Sequence, residues 1–144
     1  PVLGAGDPRV GVQAAMSARR FIHSGSPWEE LAGYARAVVE GDWVFVSGTV
    51  GVDFATGRFA GTAEAQASQA LDIIAEALAQ AGAGLGDVVR VRVYVPDRAD
   101  VAAVSRVLKQ RMGDNRPANT TVCCPLAVEE AKVEIEVTAR RQAG

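Results

Sequence analysis

Hydrophobic and polar positions along this chain alternate with two different periods, and the points where the period changes mark its elements. Period two is the signature of a strand with one buried face. It predicts short strands at Arg19–His23 and Tyr34–Val39, and strong ones at Trp43–Ser47, Val88–Val95, Asn119–Cys124 and Lys132–Arg140. Between the first two lies HSGSPWEELAG, whose Gly, Ser and Pro content reads as a loop. Gly41-Asp42 is a hairpin signal, and Gly48–Gly61, with four glycines, reads as a loop with turns. Helical spacing takes over next: Ala67, Ala70, Leu71, Ile74, Leu78 and Ala81 fall on one stripe, with Thr62 as N-cap and Gly82 as stop. Asp100–Met112 is a second amphipathic helix, with Val101, Val104, Val107 and Leu108 facing inward.

The predicted order is therefore β-β-β-α-β-α-β-β, an α+β domain in which two helices cover one face of a mixed sheet. Alternation divides the strand residues between the faces. Val89, Val91, Val93 and Val95 share one side of VVRVRVYV, and Arg90, Arg92 and Tyr94 the other. In KVEIEVTA, Val133, Ile135 and Val137 oppose Glu134, Glu136 and Thr138. If the two strands are neighbours, arginines and glutamates pair across them. That polar face is either solvated or packed in an oligomer, and the pattern leaves both open.

Bulk properties narrow the function classes. A chain of 144 residues fits one domain, expected at 18–144 behind a loosely held Gly-, Ala- and Pro-rich segment at 1–17. There is no apolar run of about 18 residues and no basic-then-apolar leader pattern, so the expectation is a cytoplasmic protein without a membrane partner. A net charge of −2 argues against a general nucleic-acid surface. Cys123 and Cys124 are sequence neighbours, poorly placed for an ordinary disulfide, and with His23 alone they do not complete a zinc site. No metal is expected.

Five blocks carry a resemblance: GYARAV with Tyr34, WVFVSGTVG, QASQALDIIAEALAQAGAGLGDVVRVRVYVPD, RPANTTV and KVEIEVTARR. In this order and spacing, from about Arg19 to Arg140, they resemble the RidA/YjgF family. The resemblance implies a chorismate-mutase-like fold and a homotrimer whose sheets face inward as a barrel. It also implies three small-molecule clefts between subunits. The family's best-known activity is hydrolysis of enamine and imine metabolites to a 2-keto acid and ammonia, without a cofactor.

The resemblance also assigns roles. Glu134 matches the acid that orients the attacking water, which a carboxylate does by accepting its proton. Tyr34, Ser47 and Gly48 match cleft positions, Thr121 stands where many members have cysteine, and Ser105 matches a polar cleft position of some members. One residue departs from the pattern. The family's deaminases grip the substrate carboxylate with an arginine two residues after the motif proline; here Pro117 and Ala118 are followed by Asn119. An asparagine offers one donor group and one acceptor, but no charge-assisted fork. Arg36 and Arg92 are the candidates to replace that cation, while Arg116 is expected on the opposite face from Asn119. The readings that remain are an imine or enamine hydrolase with an unusual substrate and a non-catalytic metabolite-binding or scaffold protein. A ribonuclease is disfavoured by the charge.

Overall fold

The computed structural model describes residues 19–142, so the expectation for residues 1–17 lies outside them. In chain order the elements are β1 (Arg20–Ile22), α1 (Pro27–Ala32), β2 (Ala37–Glu40), β3 (Trp43–Val50), β4 (Val52–Asp53), β5 (Arg58–Phe59) and α2 (Ala63–Gln80). They are followed by β6 (Val88–Val95), α3 (Val101–Met112), β7 (Ala118–Cys123) and β8 (Glu134–Arg140). Six strands form one sheet in the order β1-β2-β3-β8-β6-β7, and β4-β5 make a separate hairpin. All pairings in the large sheet are antiparallel except β6 with β7, so the sheet is mixed as expected.

The core lies between one face of this sheet and the two long helices. Leu71, Ile74 and Leu78 of α2 and Val104, Val107 and Leu108 of α3 pack with Val44, Val46, Val91, Val93, Ile135 and Val137. The predicted stripe of α2 is buried along its length, from Ala67 to Ala81. Its start is where the sequence puts it: the Thr62 hydroxyl accepts the Ala65 N–H at 3.1 Å, satisfying one of the orphan donors of the first turn. Gly41 and Asp42 form the two-residue link between Glu40 and Trp43, with Gly41 at a φ of 59°.

Three local expectations are corrected. HSGSPWEELAG is not all loop, because Pro27 at the first helical position and a left-handed cap at Gly33 close the six-residue α1. Gly48–Gly61 holds the last three residues of β3 and the β4-β5 hairpin. Val89 does not join Val91 on the core side. An irregularity between Val88 and Arg90 slips the register, so Val88 is buried and Val89 exposed.

The two long helices leave the opposite face of the sheet uncovered. Arg92 and Glu136 are cross-strand partners with Nη1 3.8 Å from Oε1, and the Tyr94 hydroxyl donates to the same carboxylate at 2.5 Å. Around them Phe21, Trp43, Phe45, Val89 and Val122 are exposed. Among the described residues no helix is long and apolar enough to cross a membrane.

Candidate functional site

Glu134 is the first residue of β8, on the uncovered side of the sheet, because its neighbours Val133 and Ile135 take the core positions. It faces Gly48 of β3. A Cβ built on Gly48 would lie 2.6 Å from Oε1 of Glu134, so only glycine leaves the carboxylate where it is. The register of β3 against β8 shifts between Val46 and Thr49, which brings Gly48 to this position. Glu134 makes no ion pair with arginine among the described residues. Burial pushes its carboxyl above the usual carboxylate range, Glu136 adds to this, and the charge of Arg36 works against it.

Glu134 and Gly48 line a cavity of about 430 Å³. Its walls include Trp28 of α1, Tyr34, Phe54 in the β4-β5 turn and Phe59 of β5, and its charged groups are Arg36 and Glu134. The size is within the range of small-molecule sites, which are lined mainly by apolar groups with a few converging polar ones.

Arg36 is only 4% exposed, and its surroundings explain how a cation stays there. Its Nη1 donates to the Thr49 hydroxyl at 3.1 Å and to the Gly48 carbonyl at 3.3 Å. Its guanidinium carbon is 5.6 Å from the centre of the Tyr34 ring. Nε lies 3.8 Å from the Glu29 carboxylate, too far for a hydrogen bond, and has no other partner among the described residues. Glu29, on α1, is itself buried and accepts the Ser24 N–H at 3.1 Å and the Ser24 hydroxyl, with His23 Nδ1 at 3.2 Å. Burial raises the Glu29 carboxyl, but Ser24, His23 and Arg36 outweigh it, and the net effect is to hold it below the usual range.

The remaining sequence-derived positions lie elsewhere. Asn119 of β7 pairs in register with core-facing Val91, which puts it on the helix side of the sheet, opposite to Glu134. It lines a second cavity, of about 440 Å³, with Ser105, Leu108 and Lys109 of α3. Its Oδ1 accepts the Thr121 hydroxyl at 2.9 Å. Arg116 lines this same cavity, a correction to its expected place on the other face: it precedes the strand, so alternation does not govern it. Ser47 is turned to the segment just ahead of β2, donating to the Ala35 carbonyl at 2.7 Å. Within one chain, then, Tyr34, Gly48 and Glu134 come together, Asn119, Thr121 and Ser105 form a separate group, and Ser47 serves the strand pairing. Arg92 belongs to the open sheet face beside Glu136, leaving Arg36 as the cation of the Glu134 cavity.

Trp28, Glu29, Phe54 and Phe59 were not singled out by sequence. Ser26-Pro27 ahead of an acidic first turn was the available signal for α1. Cys123 and Cys124 are free thiols. Among the described residues no group of three or more His, Cys, Asp or Glu side chains is placed to hold a metal.

Comparison with known proteins gives a consistent result. The model of the endoribonuclease L-PSP family matches residues 26–141. An uncharacterized protein of Streptomyces coelicolor is 38% identical over 127 residues, 86% of this chain and 93% of its own. The 2-iminobutanoate/2-iminopropanoate deaminase of Dermatophagoides farinae is 30% identical over 122 residues, 84% of this chain and 95% of its own. Among solved structures, Rv2704 of Mycobacterium tuberculosis, a member of the YjgF/YER057c/UK114 family, superposes with a TM-score of 0.77. It is 39% identical and aligns over 85% of this chain and 99% of its own.

Proposed function

This chain belongs to the endoribonuclease L-PSP family of YjgF proteins, and from that premise we propose that it hydrolyses small imines or enamines in the cavity around Glu134. The observation that carries the reading is Glu134 itself: a half-buried carboxyl, unpaired with arginine, on the wall of a cavity of about 430 Å³. In its ionised form the carboxylate takes a proton from water as the oxygen adds to the C=N carbon. The proton then passes to nitrogen, the carbinolamine collapses to a carbonyl, and ammonia leaves. The overall change is imine plus water to carbonyl compound plus ammonia, with no redox step and no cofactor. A general base placed in this way contributes about 10²- to 10⁴-fold.

The same reading includes a homotrimer with the cleft between subunits. Two features support it. The uncovered sheet face exposes Phe21, Trp43, Phe45, Val89 and Val122, apolar surface that a second copy would bury. Asn119 and Glu134 lie on opposite faces of one sheet, so the two meet only if different subunits contribute them. A cytoplasmic location suits the free thiols of Cys123 and Cys124.

Asn119 favours a second reading, a metabolite-binding or scaffold protein of the same assembly without turnover, since no guanidinium stands at the family's clamp position. The deciding experiment measures ammonia release from dehydratase-generated 2-aminoacrylate and from an imine without a carboxylate. It uses the natural sequence, Glu134→Gln and Asn119→Arg. Hydrolysis that disappears in Glu134→Gln supports the enzyme. Ligand-induced stabilisation of the trimer with no ammonia from either substrate supports the binding protein. The family model's name speaks of a nuclease, but a net charge of −2 gives RNA phosphates little to bind.

A further inference from the structure

The walls of the Glu134 cavity are more aromatic than a three-carbon substrate requires. Trp28, Tyr34, Phe54 and Phe59 come from three separate segments and converge on one space. In the single chain Trp28 is 60% and Phe54 43% exposed, so large apolar surfaces stand beside a polar floor, available to a ligand or to a neighbouring subunit. A ligand as small as 2-aminoacrylate would leave most of about 430 Å³ unfilled, and unfilled apolar wall contributes no affinity. At the floor, Arg36 is held by Thr49, Gly48 and the Tyr34 ring, with Nε lacking a hydrogen-bond partner. Nε is enclosed on the Glu29 side, so it is the rest of the guanidinium, as part of the cavity lining, that a ligand oxygen would meet.

We infer that this cavity takes a ligand with an aromatic or branched apolar body and a carboxylate head, the body against the four rings and the head against Arg36. The inference rests on the reading of this cavity as the ligand site and narrows it: Arg36, in the same chain as Glu134, supplies the cation that Asn119 does not. Glu29 sets the strength of that cation. Its carboxylate, 3.8 Å from Nε, balances part of the charge and fixes the guanidinium from behind. The head group therefore meets a donor fixed in advance, with no long side chain to order on binding.

Isothermal titration with phenylpyruvate, pyruvate and phenylacetone separates body from head without requiring turnover. Phenylpyruvate is expected to bind at least about tenfold more tightly than pyruvate, the scale of burying one ring. It is also expected to exceed phenylacetone, which lacks the carboxylate, by at least about tenfold, the scale of a charged hydrogen bond. In Arg36→Lys the advantage over phenylacetone should shrink, while phenylacetone itself binds as before; a melting curve shows whether the variant is folded. Phe54→Ala, on an exposed turn, should cut the advantage over pyruvate whatever becomes of the arginine variant. Equal binding of phenylpyruvate and pyruvate, equal binding of phenylpyruvate and phenylacetone, or no binding of any probe would each overturn the inference. A protein that binds in the expected order yet releases no ammonia from imines would leave it standing and end the hydrolase reading. Hydrolysis without discrimination among the probes would do the reverse.

Discussion

Replacing Gly48 by alanine tests the geometry of the site more sharply than removing Glu134. Gly48 lies within a strand and its φ is not positive, so alanine enters without backbone strain. In strand interiors alanine is favoured over glycine by about 0.5–1 kcal/mol. The new Cβ, however, would sit 2.6 Å from Oε1 and 3.0 Å from Cδ of Glu134. Restoring ordinary contact at 3.4 Å moves Oε1 by 0.8 Å (3.4 − 2.6). The carboxylate is the free end of a flexible side chain, and turning it aside costs about 0.5–1.5 kcal/mol. The two effects nearly cancel in stability, so the melting temperature should stay within about 4 °C of the natural sequence. Activity should not survive as well: displacing a catalytic group by about 1 Å costs on the order of 10²-fold. Thermal melts followed by circular dichroism and continuous ammonia detection read the two quantities on one preparation. Gly51→Ala is the contrast, because its Cβ would fall 2.1 Å from the backbone oxygen of Gln66, which cannot swing away. That variant should lose about 1–3 kcal/mol of stability or more. Full turnover in a folded Gly48→Ala would refute the argument that Glu134 acts from this position. Unfolding of Gly48→Ala would refute the claim that the carboxylate is free to move.

Other substitutions probe separate layers. Because burial raises the Glu134 carboxyl in the folded state, the folded chain holds a proton that the unfolded chain releases, and stability falls as pH rises from the ordinary carboxylate value through the raised one. Glu134→Gln should therefore melt higher than the natural sequence above that window and alike below it, while turnover drops about 10²- to 10⁴-fold. Glu29 has the opposite sign: its carboxyl is held below the usual carboxylate range, so its contribution is present above that range and is lost as the pH falls through the lowered value. Melts of Glu29→Gln from neutral to acid pH should show a smaller loss than the natural sequence. Leu71→Ala empties a fully buried position under the sheet and should cost about 2–5 kcal/mol in urea unfolding. Gln66→Leu removes a buried amide that donates to the Ala60 and Glu130 carbonyls and accepts the Lys132 N–H, and should cost about 3 kcal/mol or more on the same assay.

Long, strongly periodic segments were legible in the sequence because a single physical cause sets them. The stripe of α2 and the alternation of β8 each record one buried face, and both are reproduced residue by residue. Shorter elements were not legible, since a six-residue helix such as α1 carries less than two turns of pattern and is fixed by Pro27, Gly33 and the buried Glu29 instead. The slip at Val88–Arg90 was hidden for a similar reason: Val88 and Val89 are adjacent and alike, so the sequence does not say which of them turns to the core, and only the pairing with β8 selects Val88.

The candidate site divides along the same line. Strand alternation puts Glu134 on the polar face of β8, and the family resemblance singles out Glu134 and Gly48 as cleft positions, so sequence brings both within view. The Arg36 network does not follow from any local pattern. Arg36 stands between buried Ala35 and Ala37 as β2 begins, a position where sequence alone reads a surface or ion-pair arginine. What makes it a cavity cation is Glu29, seven positions earlier and on an element the sequence did not reveal. The dependence runs through to function. On the proposed reading, a guanidinium fixed in one chain beside Glu134 relieves position 119 of the duty to bind an anion, and Asn119, on the other face, is then free to vary. If that coupling holds, Asn119→Arg should change affinity for phenylpyruvate by no more than about twofold while Arg36 is present, well under the 1.4 kcal/mol that a factor of ten represents. In an Arg36→Lys background it should restore a substantial part of what was lost. Additive effects of the two substitutions would mean that the two cations act independently, and the cleft would have to be read as two subsites rather than one.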